Sequence, residues 1–224
     1  MWLAAVPEAQ TAKEAEKLER LLNAREGGEL LDVPCGGGRL SQALVARGYQ
    51  MTGVDWSNEF LSHARSKDTQ GLVAWEQRDM RDLPWSGRFD GAFCVGNSFG
   101  YLDDEGNAAF LRAVCGALKP GARFVVETPM VLENLLGQDF RDRFWWKVGD
   151  IHLLIQNNYD HTSSRLEVEY TFVADGAIET RRGTHRAYSY RELAALFEAT
   201  GFHVELAEPW AREARTLYFV ATRR

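Results

Sequence analysis

Glu29-Leu30-Leu31-Asp32-Val33-Pro34-Cys35-Gly36-Gly37-Gly38-Arg39-Leu40-Ser41 is a short apolar run that ends in a glycine triplet and passes at once into a helical pattern. Glycines let the chain turn tightly and approach a ligand with no Cβ in the way. A helix opening at that point adds unpaired N–H groups. Tyr49 to Val54 reads as a second strand, and Asp55 stands at its tip. An acid there suits the two hydroxyls of a ribose. Together these features describe a nucleoside-containing cofactor lying across strand ends.

Two kinds of cofactor fit: a nicotinamide or flavin dinucleotide, and S-adenosylmethionine. Gly36 and Gly38 match the first two glycines of the dinucleotide fingerprint, but Ser41 stands at the third. The decision lies further along the chain. Outward from the triplet, a helical stripe from Thr11 to about Leu22 opens on Thr11-Ala12-Lys13-Glu14, which has the form of a capping box. Strand patterns recur at Leu72–Gln77, Phe89–Val95 and Arg123–Thr128, with a helix from about Asp104 to Leu118. This alternation predicts a parallel sheet with helices on both faces.

After Pro129 the pattern changes. A polar, aromatic segment, Met130–Trp146, precedes three strand-like runs at Ile151–Asn158, Arg165–Val173 and Ala177–Tyr188, with Asp175-Gly176 as a hairpin signal. The reading is a single domain over 1–224 with a small antiparallel sheet inserted at 130–188. Ser189-Tyr190-Arg191-Glu192 is a second capping box. Phe202–Ala207 and Thr216–Thr222 close the chain, with a connection too short for a helical crossover, and are therefore expected to be antiparallel neighbours.

Composition narrows the function. The 224 residues carry a net charge of −6, and the basic runs are only Arg181-Arg182 and Arg223-Arg224. That argues against nucleic acid, whose phosphates need a concentrated positive surface. The three widely spaced cysteines, Cys35, Cys94 and Cys115, form neither a disulfide framework nor a zinc pattern. The histidine spacing matches no metal motif either. Without a signal peptide or a membrane-length apolar run, the expectation is a cytoplasmic protein acting on a small molecule, with no membrane partner, as a monomer or homodimer.

Leu31–Gly38, Gly53-Val54-Asp55-Trp56-Ser57, Arg78-Asp79-Met80, Leu118-Lys119-Pro120-Gly121 and the terminal strand pair together resemble the class I S-adenosylmethionine-dependent methyltransferases. Asn97–Tyr101 and Tyr188–Leu193 look like a bacterial small-molecule subgroup that includes sugar N-methyltransferases and relatives of glycine N-methyltransferase. The resemblance implies a doubly wound α/β fold: a seven-stranded, mostly parallel sheet with a reversed terminal strand. It implies S-adenosyl-L-methionine as cofactor and S-adenosyl-L-homocysteine as product. It implies that Asp32 orders the loop and reaches the methionine amino group, with Cys35, Gly36 and Gly38 close to that moiety. Asp55 binds the ribose, Trp56 packs beside the adenine, and Asp79 and Met80 meet its edge. Val95 and Gly96 lie near the sulfonium. Pro34 departs from the family's usual glycine or alanine and offers no N–H, so donation starts at Cys35.

The insertion is expected to build the acceptor pocket. Trp145, Trp146, Tyr159 and Tyr188 are candidate walls, Arg186 a polar anchor, and His152, His161, His185 and Tyr101 candidate bases should the acceptor be a hydroxyl. Two rival readings stand beside the methyltransferase: a nucleotide-dependent oxidoreductase and a non-catalytic protein that binds S-adenosylmethionine.

Overall fold

The computed structural model describes residues 6–137, 140–208 and 216–224. Helix α1 (Glu8–Leu22) is followed by β1 (Glu29–Asp32), α2 (Arg39–Val45), β2 (Gln50–Asp55), α3 (Asn58–Lys67), β3 (Val73–Gln77), β4 (Phe89–Cys94), α4 (Asp104–Ala117) and β5 (Leu118–Thr128). After a second group of strands, α6 (Tyr190–Ala199), β10 (Phe202–Leu206) and β11 (Leu217–Arg223) return to the first sheet. Its order is β10-β11-β5-β4-β1-β2-β3. β1 through β5 pair in parallel, and β11 runs antiparallel to both β5 and β10. The reversed strand predicted from the terminal pair is therefore β11. The connection from β10 to β11 falls largely at 209–215, outside the described residues.

Alternation along the strands sorts the core into two layers. Ala92, Phe124 and Phe219 point to one face and pack with Phe110 of α4 and Phe197 of α6. Phe93, Val125 and Val220 point to the other and pack with Leu18 and Leu22 of α1 and Leu40 and Leu44 of α2. Each fully buried apolar side chain of this size stabilises the fold by about 1.5–3 kcal/mol. Both layers hold the carboxyl ends of β1, β2, β4 and β5 along one edge.

The second group comprises α5 (Leu132–Leu135), β6 (Arg143–Val148), β7 (Ile151–Asp160), β8 (Arg165–Ala174) and β9 (Ala177–Arg186). It forms a separate antiparallel sheet in the order β6-β7-β8-β9. Asp175 and Gly176, both at positive φ (49° and 75°), make the two-residue turn expected of Asp-Gly. Leu153, Ile155, Leu166 and Val168 form the buried face. This sheet leans on the loop after β4: the Arg186 N–H donates to the Gly100 carbonyl (2.7 Å). The Arg165 guanidinium donates to the carbonyls of Leu102 and Tyr101 (3.1 and 3.2 Å). A Cβ at Gly100 (φ 99°) would lie 2.8 Å from the Arg186 carbonyl oxygen, so only glycine permits this approach.

Three details differ from the sequence reading. The sheet has four strands, because Arg143–Val148, which begins inside the polar, aromatic segment Met130–Trp146, is itself a strand. Its pattern is aromatic rather than alternating, and only pairing with β7 makes it a strand. Helix α1 starts at Glu8 with Pro7 as N-cap, so Thr11 is internal and not a cap. Its hydroxyl bonds back to the Pro7 carbonyl. Finally, β5 begins at Leu118, where Lys119-Pro120-Gly121 forms an irregularity in the pairing with β4.

Candidate active site

The glycine loop is tied to the tip of β2. The Cys35 N–H donates to the Val54 carbonyl (2.8 Å). The Asp55 carboxylate accepts from the N–H of Gly36 with one oxygen and from the N–H of Ser57 with the other, each at 2.8 Å. One buried acid thus aligns the loop after β1 with the start of α3, where the Ser57 hydroxyl accepts from the Phe60 N–H. The glycines do different work. At Gly36 (φ 53°) no atom of the described residues beyond its chain neighbours lies within 4 Å of a Cβ position, so the loop's outer surface is open. At Gly38 (φ 75°) a Cβ would sit 2.2 Å from the Trp75 ring, which also covers Gly53. The space saved at Gly38 is filled by the protein's own indole.

Asp32 is buried at the end of β1 and accepts from the Ser41 hydroxyl (2.7 Å). Burial raises its pKa to about 7, against the opposing pull of Ser41 and then Arg39. Ser41, which spoils the dinucleotide fingerprint, is this acid's partner. The Cys35 and Cys94 thiols are pushed up by burial, so neither is an activated nucleophile.

At the other strand tips, Trp56 is 73% exposed, with its ring free to cover a neighbour. Asp79 is held by Arg81, whose backbone N–H and guanidinium both donate to it (2.9 Å each), and this keeps its carboxyl below the ordinary range. Met80 is half-buried against the core. Val95 packs partly into the layer under α1 and α2, and Gly96 (φ 85°) has open space at its Cβ position. Sequence reasoning missed Glu127 of β5, whose carboxylate accepts from the N–H groups of Gly96 (2.7 Å) and Asn97 (3.1 Å). Burial raises its pKa, partly offset by those two donors. A lone acid in the apolar run Phe124-Val125-Val126-Glu127 was the available signal.

The candidates in and around the four-stranded sheet separate. His185 is 1% exposed, and neither ring nitrogen has a hydrogen-bond partner among the described residues. The backbone of Asn97 lies close enough to act on it. Burial, and then Arg165, lower its pKa to about 4. The Tyr101 ring lies over it at 4.3 Å between centroids. Tyr101 is half exposed, as the wall of an open cleft would be, yet the density of protein around its ring raises its pKa to about 12. Asn97, at φ 59°, has a buried side-chain oxygen with no partner among the described residues. His185, Tyr101 and Asn97 therefore meet beside Gly96.

The other candidates do not join them. Tyr188 is buried, its hydroxyl donating to Asp104 (2.8 Å) and accepting from Asn107 (3.0 Å). Arg186 pairs with Asp104 (2.9 Å) and lies over the Tyr188 ring. Both are ties between the sheet and α4. His152 is exposed and stacks near Trp145, on the face opposite buried Leu153, and His161 is exposed in the turn after β7. Trp146 shares the face of Leu153, where it packs on Phe144.

The groups present fit S-adenosylmethionine: a loop open above Gly36, acids at the tips of β1 and β2, and a second open glycine at the end of β4. Comparison with known proteins agrees. Residues 30–121 match the family model of a methyltransferase domain. A ubiquinone biosynthesis O-methyltransferase of Alkalilimnicola ehrlichii is 32% identical over 111 residues, 48% of this chain and 44% of that protein. The chain spans less than half the length of the curated relatives it matches. An S-adenosylmethionine-dependent methyltransferase from Clostridium acetobutylicum superposes with TM-score 0.78 at 20% identity, covering 100% of this chain and 94% of that one. CalS10, an amino pentose methyltransferase from Micromonospora echinaspora, gives 0.74 at 22% identity over 98% and 93%. At these identities the structures establish the fold. The matched stretch holds the glycine loop and both strand-tip acids.

Proposed function

We propose that this chain, which carries a match to a methyltransferase domain and shares the fold of methyltransferases, is itself a class I methyltransferase and transfers the methyl group of S-adenosylmethionine to the amine nitrogen of a small molecule. The observation that carries the reading is the open Gly36 loop tied by Asp55 at the carboxyl edge of the parallel strands, where ligands bind in open α/β sheets. In this reading 130–188 is a roof within a single domain, and the protein works as a monomer or homodimer in the cytoplasm.

When bound, the cofactor supplies a methyl group on a positively charged sulfur. The chain's residues then align and exclude water. Asp55 takes the ribose hydroxyls while keeping the loop N–H groups in place, and Trp56 covers the adenine. Glu127 fixes the turn at Gly96 and Asn97, which sets the floor beneath the reacting atoms. Charge disperses as the methyl group moves, so alignment and a dry site matter more than a charged clamp.

The acceptor preference follows from the two ionisable groups in the roof cluster. His185 at about 4 is a weak base, and Tyr101 at about 12 stays a phenol. Neither is suited to strip a hydroxyl at neutral pH. An amine arrives as its free base and needs only to be held, by the imidazole of His185 and the side-chain oxygen of Asn97. The test is transfer of radiolabelled methyl to matched pairs of small amines and alcohols on the same scaffold. Amines should be labelled, with a rate that falls below the acceptor's own pKa. Labelling of the alcohols alone refutes the amine assignment. Heat stabilisation by NAD and not by S-adenosylhomocysteine refutes the cofactor.

A further inference from the structure

Three buried polar atoms of the roof cluster have no partner among the described residues: both ring nitrogens of His185 and the side-chain oxygen of Asn97. Buried polar atoms are normally paired, so such a cluster at the mouth of a site points to a ligand that pairs them. The cluster is held from both sides. The Asn97 N–H donates to the Glu127 carboxylate at 3.1 Å, and the residue stands at φ 59°, a left-handed conformation that asparagine tolerates. Opposite, the N–H of Arg186, next in the chain to His185, donates to the Gly100 carbonyl at 2.7 Å. β9 therefore presents the imidazole, on the same face as Leu166, to the loop that carries Asn97. The half-exposed Tyr101 ring lies over it.

The protons of the cluster follow from its chemistry. A neutral imidazole has one N–H and one bare nitrogen. Among the influences on His185, the Asn97 backbone pulls its pKa upward, as a carbonyl facing an imidazole N–H does. That nitrogen carries the proton, and the other accepts. The Asn97 amide oxygen accepts as well. The cluster thus offers a ligand two hydrogen-bond acceptors.

We infer that these two groups count the N–H bonds of the substrate amine, so that the site takes a primary amine and stops after one methyl group. This rests on the amine reading of the preceding section and deepens it. A primary amine, as its free base, has two N–H donors and one lone pair. The imidazole nitrogen and the amide oxygen hold the two N–H groups, which leaves the lone pair free for the methyl carbon. That pair forms the N–C bond as the C–S bond breaks, and the electrons of the broken bond stay on sulfur. The positive charge passes from sulfur to nitrogen. The product leaves as a secondary ammonium with both its protons, so the step needs no base. To react again it has to return as a secondary amine with a single N–H. One buried acceptor is then unpaired, which corresponds to about 10- to 100-fold in rate.

The test measures transfer of labelled methyl to benzylamine, cyclohexylamine and 2-aminocyclohexanol, each beside its N-methyl derivative and its hydroxyl analogue, with products read by mass spectrometry. The wild type should favour the primary amine over its N-methyl derivative by about 10- to 100-fold and yield the monomethyl product. Asn97→Gly keeps the positive φ and the N–H to Glu127 but deletes the amide oxygen. It should bring the two rates to within about 3-fold of each other, and so should His185→Leu. Binding of S-adenosylhomocysteine certifies that each variant is folded. Equal rates on both amines in the wild type, or a dimethyl product, would overturn the inference. So would full primary preference in both variants. Independently of any substrate, nitrogen NMR of histidine-labelled protein should show His185 at neutral pH as a neutral imidazole with one fixed N–H, and an imidazolium there overturns the assignment. Labelling of the hydroxyl analogues alone removes the amine reading itself, a separable result.

Discussion

In the reading proposed above, the cofactor half and the roof of the site are built in opposite ways. In the cofactor half, contacts join neighbours in the chain: Asp32 meets Ser41, nine residues on, and Asp55 meets Gly36, nineteen residues back. In the roof, Arg186 and Tyr188 reach Asp104 across 82 and 84 residues, and Arg165 reaches Leu102 across 63. Burial also acts on opposite charge types, raising the carboxyl of Asp32 and lowering the imidazole of His185. The glycine loop and the acid that ties it belong to one βαβ unit, which can assemble them alone. The roof exists only after two sheets meet, which leaves the acceptor pocket free to differ while the cofactor site stays the same.

The largest effect expected from this contrast is at Asp55. Asp55→Ala removes the acceptor for two ribose hydroxyls and frees two backbone N–H groups, about 3–6 kcal/mol in cofactor binding, or at least about 100-fold. Calorimetry with S-adenosylhomocysteine measures it, and unchanged affinity breaks the assignment of the β2 tip. Gly38→Ala comes next. Its Cβ would collide with Trp75 at a positive φ, so destabilisation of about 2–4 kcal/mol is expected in denaturant unfolding. Trp75→Leu should recover part of it, and a neutral Gly38→Ala would place the indole elsewhere.

His185→Leu tests the roof alone. Turnover of an amine acceptor should fall about 10- to 100-fold while S-adenosylhomocysteine affinity stays within about 3-fold. Parallel loss of cofactor affinity would dissolve the division into halves. The smallest effect is a slope with pH in the unliganded protein, at most about 1.4 kcal/mol per pH unit for each group. Asp32, raised to about 7, favours the folded state fully below its ordinary 3.8, and that contribution is lost as pH climbs through about 7. His185, lowered to about 4, contributes fully above 6.5 and loses it as pH falls through about 4. The two slopes oppose each other between about pH 4 and 6.5 and largely cancel in the wild type, so melting temperatures should rise with pH across that window in Asp32→Asn, where only His185 acts, and fall with pH in His185→Leu, where only Asp32 acts. Reversed assignments would refute the burial of one group or both.

The amino-acid sequence by itself determined the parallel sheet, the reversed terminal strand, the glycine loop and the acids Asp32 and Asp55. Each of these is written in local chemistry: strand and helix periods, a glycine run that needs positive φ, a cap such as Ser57. It did not reveal that Gly38 makes room for Trp75, that Asp79 is held by Arg81, or that Tyr188 and Arg186 are ties and not pocket walls. It could not choose among the histidines either. His152 and His185 lie on strands of one sheet, and only the pairing of β7, β8 and β9 places His185 beside Leu166 on the buried face and His152 on the other. A strand's period says that alternate side chains share a face, but which face is buried depends on what the sheet packs against. The residues of the proposed roof found their partners across 63 to 84 residues, and so the proposed acceptor side was decided by the tertiary structure alone.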